Sequence, residues 1–224
     1  MHPDVFGLTV SVLHHDDCLV AIDKPAGMLV HRSPGARDPV VVMTFVRDLA
    51  GEHAYPVHRI DRQTSGIVLV AISLLAAQRL YAAFQKGLVH KSYLALVHGR
   101  ADDQGRVETP LEKIPGLFQS AVTEFETLAR CGECSLLRVV PRNGRRHQIR
   151  RHLREIGLPI VGDPLYGEEE RDRIVAEITG LGRMALHAQR LEFPHPGTRS
   201  PFEIEAPLPP DLADPLRRLG LDPP

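Results

Sequence analysis

The segment Val57–Ala71 reads VHRIDRQTSGIVLVA and decides how the rest of the chain is interpreted. Its one acid, Asp61, lies between two arginines and is followed by the turn-forming triplet TSG. After the triplet, the apolar run Ile67–Ile72 predicts a strand that is buried on both faces. Because a buried carboxylate is costly without a cation or donors, Asp61 is predicted to hold either of two roles. It is a reactive group fixed at the edge of a sheet, or a structural acid that accepts hydrogen bonds from its own loop.

The composition predicts one compact domain over residues 1–224. With 224 residues and 43% hydrophobic content, the chain can form a continuous core. No apolar run is long enough to span a bilayer, and no basic segment precedes an apolar one at the N-terminus, so we expect a cytoplasmic protein without membrane contact. From about Pro207 the chain is rich in proline, which predicts a frayed tail with no regular helix or strand across Pro209 and Pro210.

The predicted elements are typical of an α+β fold with a largely antiparallel sheet, because strands and helices do not alternate regularly. Strands are predicted at Leu8–Leu13, Cys18–Asp23, Ile67–Ile72, Lys91–His98, Ser120–Leu128 and Ser135–Val140. Helices are predicted at Val40–Ala50, from a Ser73 cap to a stop at Gly87, and at His147–Ile156. The first helix is expected to bury the face that contains Val42, Phe45, Val46 and Leu49. The second helix is expected to bury its large apolar residues, namely Leu74, Leu75, Leu80, Tyr81 and Phe84.

The three cysteines form no disulfide framework. The CGEC sequence at Cys131 and Cys134 contains two possible zinc ligands, but a structural zinc site needs four and no second pair exists. We therefore interpret these cysteines as small residues at a turn between strands. The chain has no GxSxG motif, so no serine nucleophile of that kind is predicted. It also has no glycine-rich phosphate loop, which argues against ordinary nucleotide cofactors.

Twelve histidines suggest a metal site, but their spacing does not favour one. His147 and His152 are five residues apart and diverge around a helix. The zinc-binding histidines of zinc proteases are instead four residues apart, on one helix face. His14 and His15 are adjacent and would point in opposite directions from a strand. No metal site is predicted.

A basic segment between Arg142 and Arg154 contains six arginines and two histidines, and no acid occurs before Glu155. The formal net charge of −1 argues against a nucleic-acid partner, but this local charge argues for one. Arg146, Arg150 and Arg154 lie four residues apart, so on a helix they share one face and their like charges repel. One interpretation is that a bound phosphate backbone stabilises these arginines. The alternative is that they form an ordinary charged face in contact with solvent.

Five segments resemble the RluA-type pseudouridine synthases, in that family's order. HRIDRQTSG at His58–Gly66 is similar to the catalytic signature of the family. The others are DKPAGMLVH at Asp23–His31, KSYLALVHG at Lys91–Gly99, GRRHQIRRHL with GLPIVGDPLYG within Gly144–Gly167, and ALHAQRLEFPHP at Ala185–Pro196.

The resemblance implies specific roles for several residues. Asp61 is the essential carboxylate, Tyr93 packs against the target base, and Arg150 is the cation paired with Asp61. Arg59 corresponds to an arginine that helps to displace the flipped nucleotide, and no metal or cofactor is implied. The residues expected to contact RNA are Arg59, Arg62, Arg145, Arg146, His147, Gln148, Arg151 and Arg154.

The implied reaction suits these residue types. Conversion of uridine to pseudouridine breaks the bond from C1′ to N1, rotates the base and forms a bond to C5, so the base must leave its stack. A carboxylate can serve as nucleophile or general base, and an arginine keeps it ionised. A tyrosine can provide a flat platform for the base, although from the residues alone it is a core tyrosine.

The substrate is expected to be RNA. Because the signature begins at His58, we expect no S4-type RNA-binding domain of the kind that many relatives carry. Segments such as LVHRS at Leu29–Ser33 and PVVVMTFVRDLAG at Pro39–Gly51 look most like the TruC branch, which implies a tRNA uridine in the acceptor and T-stem region, uridine 65. The alternatives are another tRNA or an rRNA uridine, and a catalytically silent RNA-binding module. We expect a monomer.

Overall fold

The computed structural model describes residues 4–5, 8–31, 41–51 and 53–222. The chain divides into two compact units, which are described separately. The first unit comprises residues 1–90 and 188–207, and the second comprises residues 91–187 and 208–224. The strand pairs described below are antiparallel and helices accompany them in both units, so the predicted α+β class with a mostly antiparallel sheet is confirmed.

The strands in chain order are β1 Asp4–Val5, β2 Leu8–Thr9, β3 Ser11–His15, β4 Leu19–Lys24, β5 Tyr55–Pro56, β6 Ser65–Ala71, β7 His90–His98, β8 Gln104–Val107, β9 Leu111–Ile114, β10 Leu117–Gln119, β11 Thr123–Cys131, β12 Cys134–Pro141, β13 Leu186–Pro194 and β14 Pro201–Glu205. The helices are α1 Val42–Ala50, α2 Leu74–Gln85, α3 Gln148–Glu155, α4 Glu169–Thr179 and α5 Pro210–Arg218. Among these helices, none is both long and apolar enough to cross a membrane.

The first unit is centred on strand β6. This strand pairs with β4, which pairs with β3, and β5 adds to it near its C-terminal end. All seven residues of β6 are buried, which confirms the predicted strand that is covered on both faces. Gly66 has a φ of +108°, and a Cβ atom there would lie 2.2 Å from the carbonyl oxygen of Ala188 in β13. The glycine of the TSG triplet is therefore required by both backbone conformation and close packing.

Helix α2 begins and ends as predicted but buries a different face. The Ser73 hydroxyl accepts a hydrogen bond from the Ala76 amide at 3.2 Å, as a cap should. The buried residues are Ala76, Ala77, Leu80 and Ala83, whereas Leu74, Leu75 and Tyr81 are 59%, 55% and 44% exposed. The predicted face is wrong apart from Leu80 and the partly buried Phe84, because small alanine side chains allow the helix to pack closely against its unit's core.

Helix α1 also differs from its predicted face. Its described part begins at Val42, and residue 40, where the predicted helix begins, lies outside the described residues. Val42, Met43 and Val46 are buried, but Leu49 is 42% exposed. The apolar face of this short helix is therefore narrower than its sequence periodicity predicts.

The second unit contains the antiparallel strand order β7, β12, β11, β8 and a separate hairpin of β9 and β10. Cys131 and Cys134 are register partners at the ends of β11 and β12, on either side of a two-residue turn. Gly132 in that turn has a φ of +54°. The interpretation of the CGEC sequence as a turn between strands is thus confirmed.

Two helices of the second unit were not predicted. The first turn of α4 contains Glu169, Glu170 and Asp172, whose charges suit the positive end of a helix dipole. Helix α5 begins at Pro210 and buries Leu212 and Leu216 in the unit's core, so the prediction of a frayed tail is wrong for this segment. Proline at the first helical position loses no intrahelical hydrogen bond, and a helix can therefore start directly at the proline pair.

Candidate active site

Asp61 lies in the loop between β5 and β6, at the edge of the buried strand. Its side chain is partly exposed, while its neighbour Ile60 is 7% exposed and anchors the loop to the core. The Asp61 carbonyl accepts a hydrogen bond from the Thr64 amide at 3.1 Å, and the Thr64 and Ser65 side chains are buried. The loop therefore turns tightly around Asp61 before β6 begins.

Lys24 at the end of β4 fixes this loop from the inside. Its side chain is fully buried, and its ammonium donates to the carbonyl oxygens of Pro25, Met28 and Arg62 at 2.9, 2.9 and 3.1 Å. The Arg62 carbonyl also accepts from the Gly27 amide at 2.8 Å, and Arg62 Nε donates to the Gly27 carbonyl at 2.8 Å. The segment KPAG thus holds the backbone immediately after Asp61.

His58 holds the other side of the same loop. Its Nε2 accepts a hydrogen bond from the Leu69 amide of β6 at 2.8 Å, which assigns the proton of a neutral ring to Nδ1. The ring stacks on Phe84 of α2 at a centroid distance of 5.2 Å. Two motif residues, His58 and Lys24, therefore act in the structure as supports of the Asp61 loop, roles that the sequence did not predict for them.

Arg150 is buried in the second unit and pairs with Asp163. Its Nε and Nη2 donate to the two carboxylate oxygens at 2.7 Å each, and the side chains are 6% and 0% exposed. Burial alone raises the pKa of Asp163, but hydrogen bonds from Arg150 and from the Leu165 and Tyr166 amides outweigh it and hold the pKa below its usual value. The expectation that Arg150 lies in an exposed stack with Arg146 and Arg154 is therefore wrong.

The aromatic ring of Tyr166 completes the surroundings of Arg150. The guanidinium carbon lies 5.0 Å from the ring centroid, within the range of a cation–π contact. The Tyr166 hydroxyl lies 3.1 Å from Nδ1 of His147, and the Tyr166 carbonyl accepts from Arg154 Nη1 at 2.7 Å. Asp163 and Tyr166 belong to the GDPLYG sequence, and neither was singled out from the sequence because each lies more than ten residues beyond Arg150.

Helix α3 starts at Gln148, after His147 in a left-handed conformation with a φ of +53°. A non-glycine residue there is strained, so local contacts must stabilise it. Gln148 is 4% exposed, donates to the Val122 carbonyl at 2.9 Å and accepts from the Arg145 amide at 3.0 Å. Gln148, which was expected to contact RNA, therefore faces the protein interior and secures the start of the helix.

The remaining residues expected to contact RNA differ in their surroundings. Arg59 and Arg146 are exposed. Arg145 donates to the Ser120 carbonyl at 3.0 Å, and Arg151 donates to the Glu112 carbonyl at 3.1 Å. Both side chains also form bonds to the segments around the hairpin of β9 and β10, Arg151 from helix α3 and Arg145 from the segment before it.

Tyr93 and Lys91 lie two residues apart on β7. Tyr93 is partly buried, pairs in register with Val139 of β12 and packs against the core of the second unit. The Lys91 ammonium donates to the Asn143 carbonyl at 2.8 Å, and burial lowers the pKa of Lys91 to about 8. Lys91 therefore holds the loop that leads into the basic helix, and its pKa lies much nearer to neutral pH than that of an exposed lysine.

One group of possible metal ligands occurs among the described residues, and the sequence did not predict it. His14, Asp16 and His195 have ligand atoms within 4.8 Å of one another. Both imidazole Nε2 atoms donate to the same Asp16 oxygen, at 2.9 and 2.8 Å, and His195 Nδ1 accepts from the Gly197 and Thr198 amides. These hydrogen bonds give the cluster a structural role, because they connect the turn between β3 and β4 to the segment after β13.

The comparisons with known proteins agree with the motifs. Residues 18–155 match the family model of RNA pseudouridylate synthase. The chain is 40% identical over 220 residues to the tRNA pseudouridine synthase C of Pasteurella multocida, covering 88% of this chain and 90% of that protein. It is 37% identical over 221 residues to the protein of that name from Haemophilus ducreyi, with 89% and 91% covered.

A solved structure supports the same conclusion. The human RNA Pseudouridylate Synthase Domain Containing 4 is similar to this chain with a TM-score of 0.78 and 26% identity, over 95% of this chain and 94% of that one. The family model covers more than half of the 224 residues, and it includes the Asp61 loop, β7 and helix α3. The chain therefore belongs to the RNA pseudouridylate synthase family.

Proposed function

We propose that this protein is a tRNA pseudouridine synthase that isomerises one uridine without a cofactor. The observation that carries the proposal is the family signature HRIDRQTSG, built into a loop that Lys24 and His58 fix from two sides. Relatives with 36–40% identity over most of the chain are named tRNA pseudouridine synthase C, which supports tRNA as the substrate.

In the proposed reaction, Asp61 supplies the carboxylate that acts on the target uridine. The bond from C1′ to N1 breaks, the base turns, and a bond from C1′ to C5 forms; the proton of C5 is lost and N1 gains one, so the product is an isomer. A fixed carboxylate suits this role because it need not be reoriented as the reaction proceeds. Its loop is anchored by buried contacts on either side, as such a role requires.

Tyr93 and Arg150 are proposed to act on the same uridine. Tyr93 would provide the flat face against which the extruded base packs. Arg150 would meet Asp61 and keep the carboxylate ionised. The pair with Asp163 uses Nε and Nη2 of the guanidinium.

The proposed target is uridine 65 in the acceptor and T-stem region of tRNA. Another tRNA uridine or an rRNA uridine would involve the same chemistry, and each is an outcome of the test below. We also propose that the protein is a monomer and that it is located in the cytoplasm, where tRNA and rRNA would both be accessible to it.

An unmodified tRNA transcript labelled with tritium at C5 of uridine tests the proposal. Tritium release that is stoichiometric with one uridine is expected, and pseudouridine mapping should place the product at position 65. A transcript with cytidine at position 65 is the matched control and should release no tritium. Release from rRNA fragments alone would assign the protein to rRNA, and RNA binding without any release would identify a silent binding module.

A further inference from the structure

The arrangement around Arg150 raises the question of what fixes its guanidinium. Arginine has several rotatable bonds, and a catalytic arginine is effective only if those bonds are held in one arrangement. Asp163 receives Nε and Nη2 in parallel at 2.7 Å, the two-bond geometry that fixes both the position and the plane of a guanidinium. Each of these side chains is almost completely buried.

Asp163 is itself held rigidly. Its Oδ1 accepts from the Leu165 and Tyr166 amides at 2.9 and 3.1 Å, in addition to Arg150. Its carbonyl accepts from the Gly167 amide at 2.9 Å, and a Cβ atom at Gly167 would lie 2.4 Å from that same carbonyl oxygen. The loop 163–167 therefore closes on itself with the carboxylate in one orientation.

Tyr166 restricts Arg150 from a second direction. Its ring lies 5.0 Å from the guanidinium carbon, and its hydroxyl reaches His147 at the strained start of helix α3. The loop thus contacts both Arg150 and His147, the residue directly before its helix, so helix and side chain are fixed together.

We infer that Asp163 is a positioning residue for the reaction, acting only through Arg150. This inference rests on the proposed function, because it requires Arg150 to take part in the reaction. Asp163 has no role in contacting the uridine or the RNA; it holds the Arg150 guanidinium in one orientation.

The test compares Asp163→Asn with the wild-type protein. Asparagine keeps the shape but loses one acceptor and the charge, so the two-bond pair cannot form. We expect kcat to fall by up to about 100-fold with KM changed less than about threefold, since a misplaced catalytic group affects turnover more than binding. Asp163→Glu, which retains the charge, should recover part of kcat.

A double variant separates positioning from general stability. Arg150→Lys cannot form the two-bond pair, so Asp163→Asn added to Arg150→Lys should lower kcat little further. Thr179→Val is the control, because it removes the hydrogen bond from the Leu181 amide to a buried hydroxyl elsewhere in the second unit and should leave kcat unchanged.

Two results would overturn the inference. One is a wild-type kcat for the folded Asp163→Asn variant; the other is an equal, additional loss of kcat in the Arg150→Lys background. Failure of the proposed function has a different signature, namely no pseudouridine formation by the wild-type protein or full activity of an Asp61→Asn variant.

Discussion

The Lys24 ammonium donates to the Arg62 carbonyl oxygen at 3.1 Å, although the two residues are 38 positions apart. This bond connects the end of β4 to the backbone directly after Asp61. A fully buried ammonium is expensive to desolvate, and here carbonyl oxygens surround it. The arrangement indicates that the loop geometry around Asp61 is maintained at a substantial cost in desolvation.

Replacing Lys24 with Met should destabilise the protein by about 2–4 kcal/mol, because it leaves buried carbonyl oxygens without their donor. Urea unfolding followed by circular dichroism measures the change, and kcat on tRNA should fall in the fraction that remains folded. Lys86→Met is the matched control, since Lys86 is exposed, and it should change stability by less than about 0.5 kcal/mol. A stability loss no larger than that of the control would contradict the role of Lys24.

Lys91 should make stability depend on pH in the alkaline range. Its pKa in the folded protein is lowered to about 8 from an ordinary value of 10.5, so between these values the unfolded chain binds more protons. Stability relative to a Lys91→Met variant should therefore be constant below about pH 7.5 and increase as the pH rises from 8 to 10.5. Denaturant midpoints measured for both proteins across this range test the prediction, and a parallel pH dependence of the two would contradict it.

Arg146 should contribute charge to RNA binding without a structural role. It is exposed and directly precedes the strained His147. Arg146→Gln should weaken tRNA affinity and reduce the slope of log Kd against log salt by about 1, as loss of one phosphate contact does. Arg173→Gln on helix α4 is the control with an exposed arginine of the same unit. Equal slopes for the two variants would mean that Arg146 does not meet phosphate.

The buried strands were the most predictable part of the fold. An uninterrupted run of branched apolar residues such as Ile67–Ile72 has few alternatives to a covered strand. Helix faces were less predictable, because burial in α2 favours alanines and exposes Leu74 and Leu75. Hydrophobicity ranks leucine above alanine, whereas close helix packing can require the smaller side chain. The proline pair Pro209 and Pro210 was also misleading, because it begins helix α5 instead of preventing a helix.

Some residues of the candidate site could be named from the sequence, whereas contacts that form through folding could not. Asp61, Tyr93 and Arg150 could be named from motifs, and their roles in the reaction stay predictions. The pair of Arg150 with Asp163 could not, because it depends on how the GDPLYG loop returns to the helix. Gln148 was expected to contact RNA, and the spacing of Arg150 placed it in a stack of charged arginines, yet both residues are buried and hydrogen-bonded. Charge density indicates a partner, but only packing separates surface charges from internal ones.

The most direct test of the account is single-turnover pseudouridine formation by Asp61→Asn on a tRNA transcript. Asparagine retains the size of the side chain but removes the charge, so tRNA binding and the unfolding midpoint should match those of the wild-type protein. We predict that product formation falls at least about 10³-fold, as when the reacting group itself is removed. Wild-type rates from the folded Asp61→Asn variant would show that the carboxylate takes no part in the reaction.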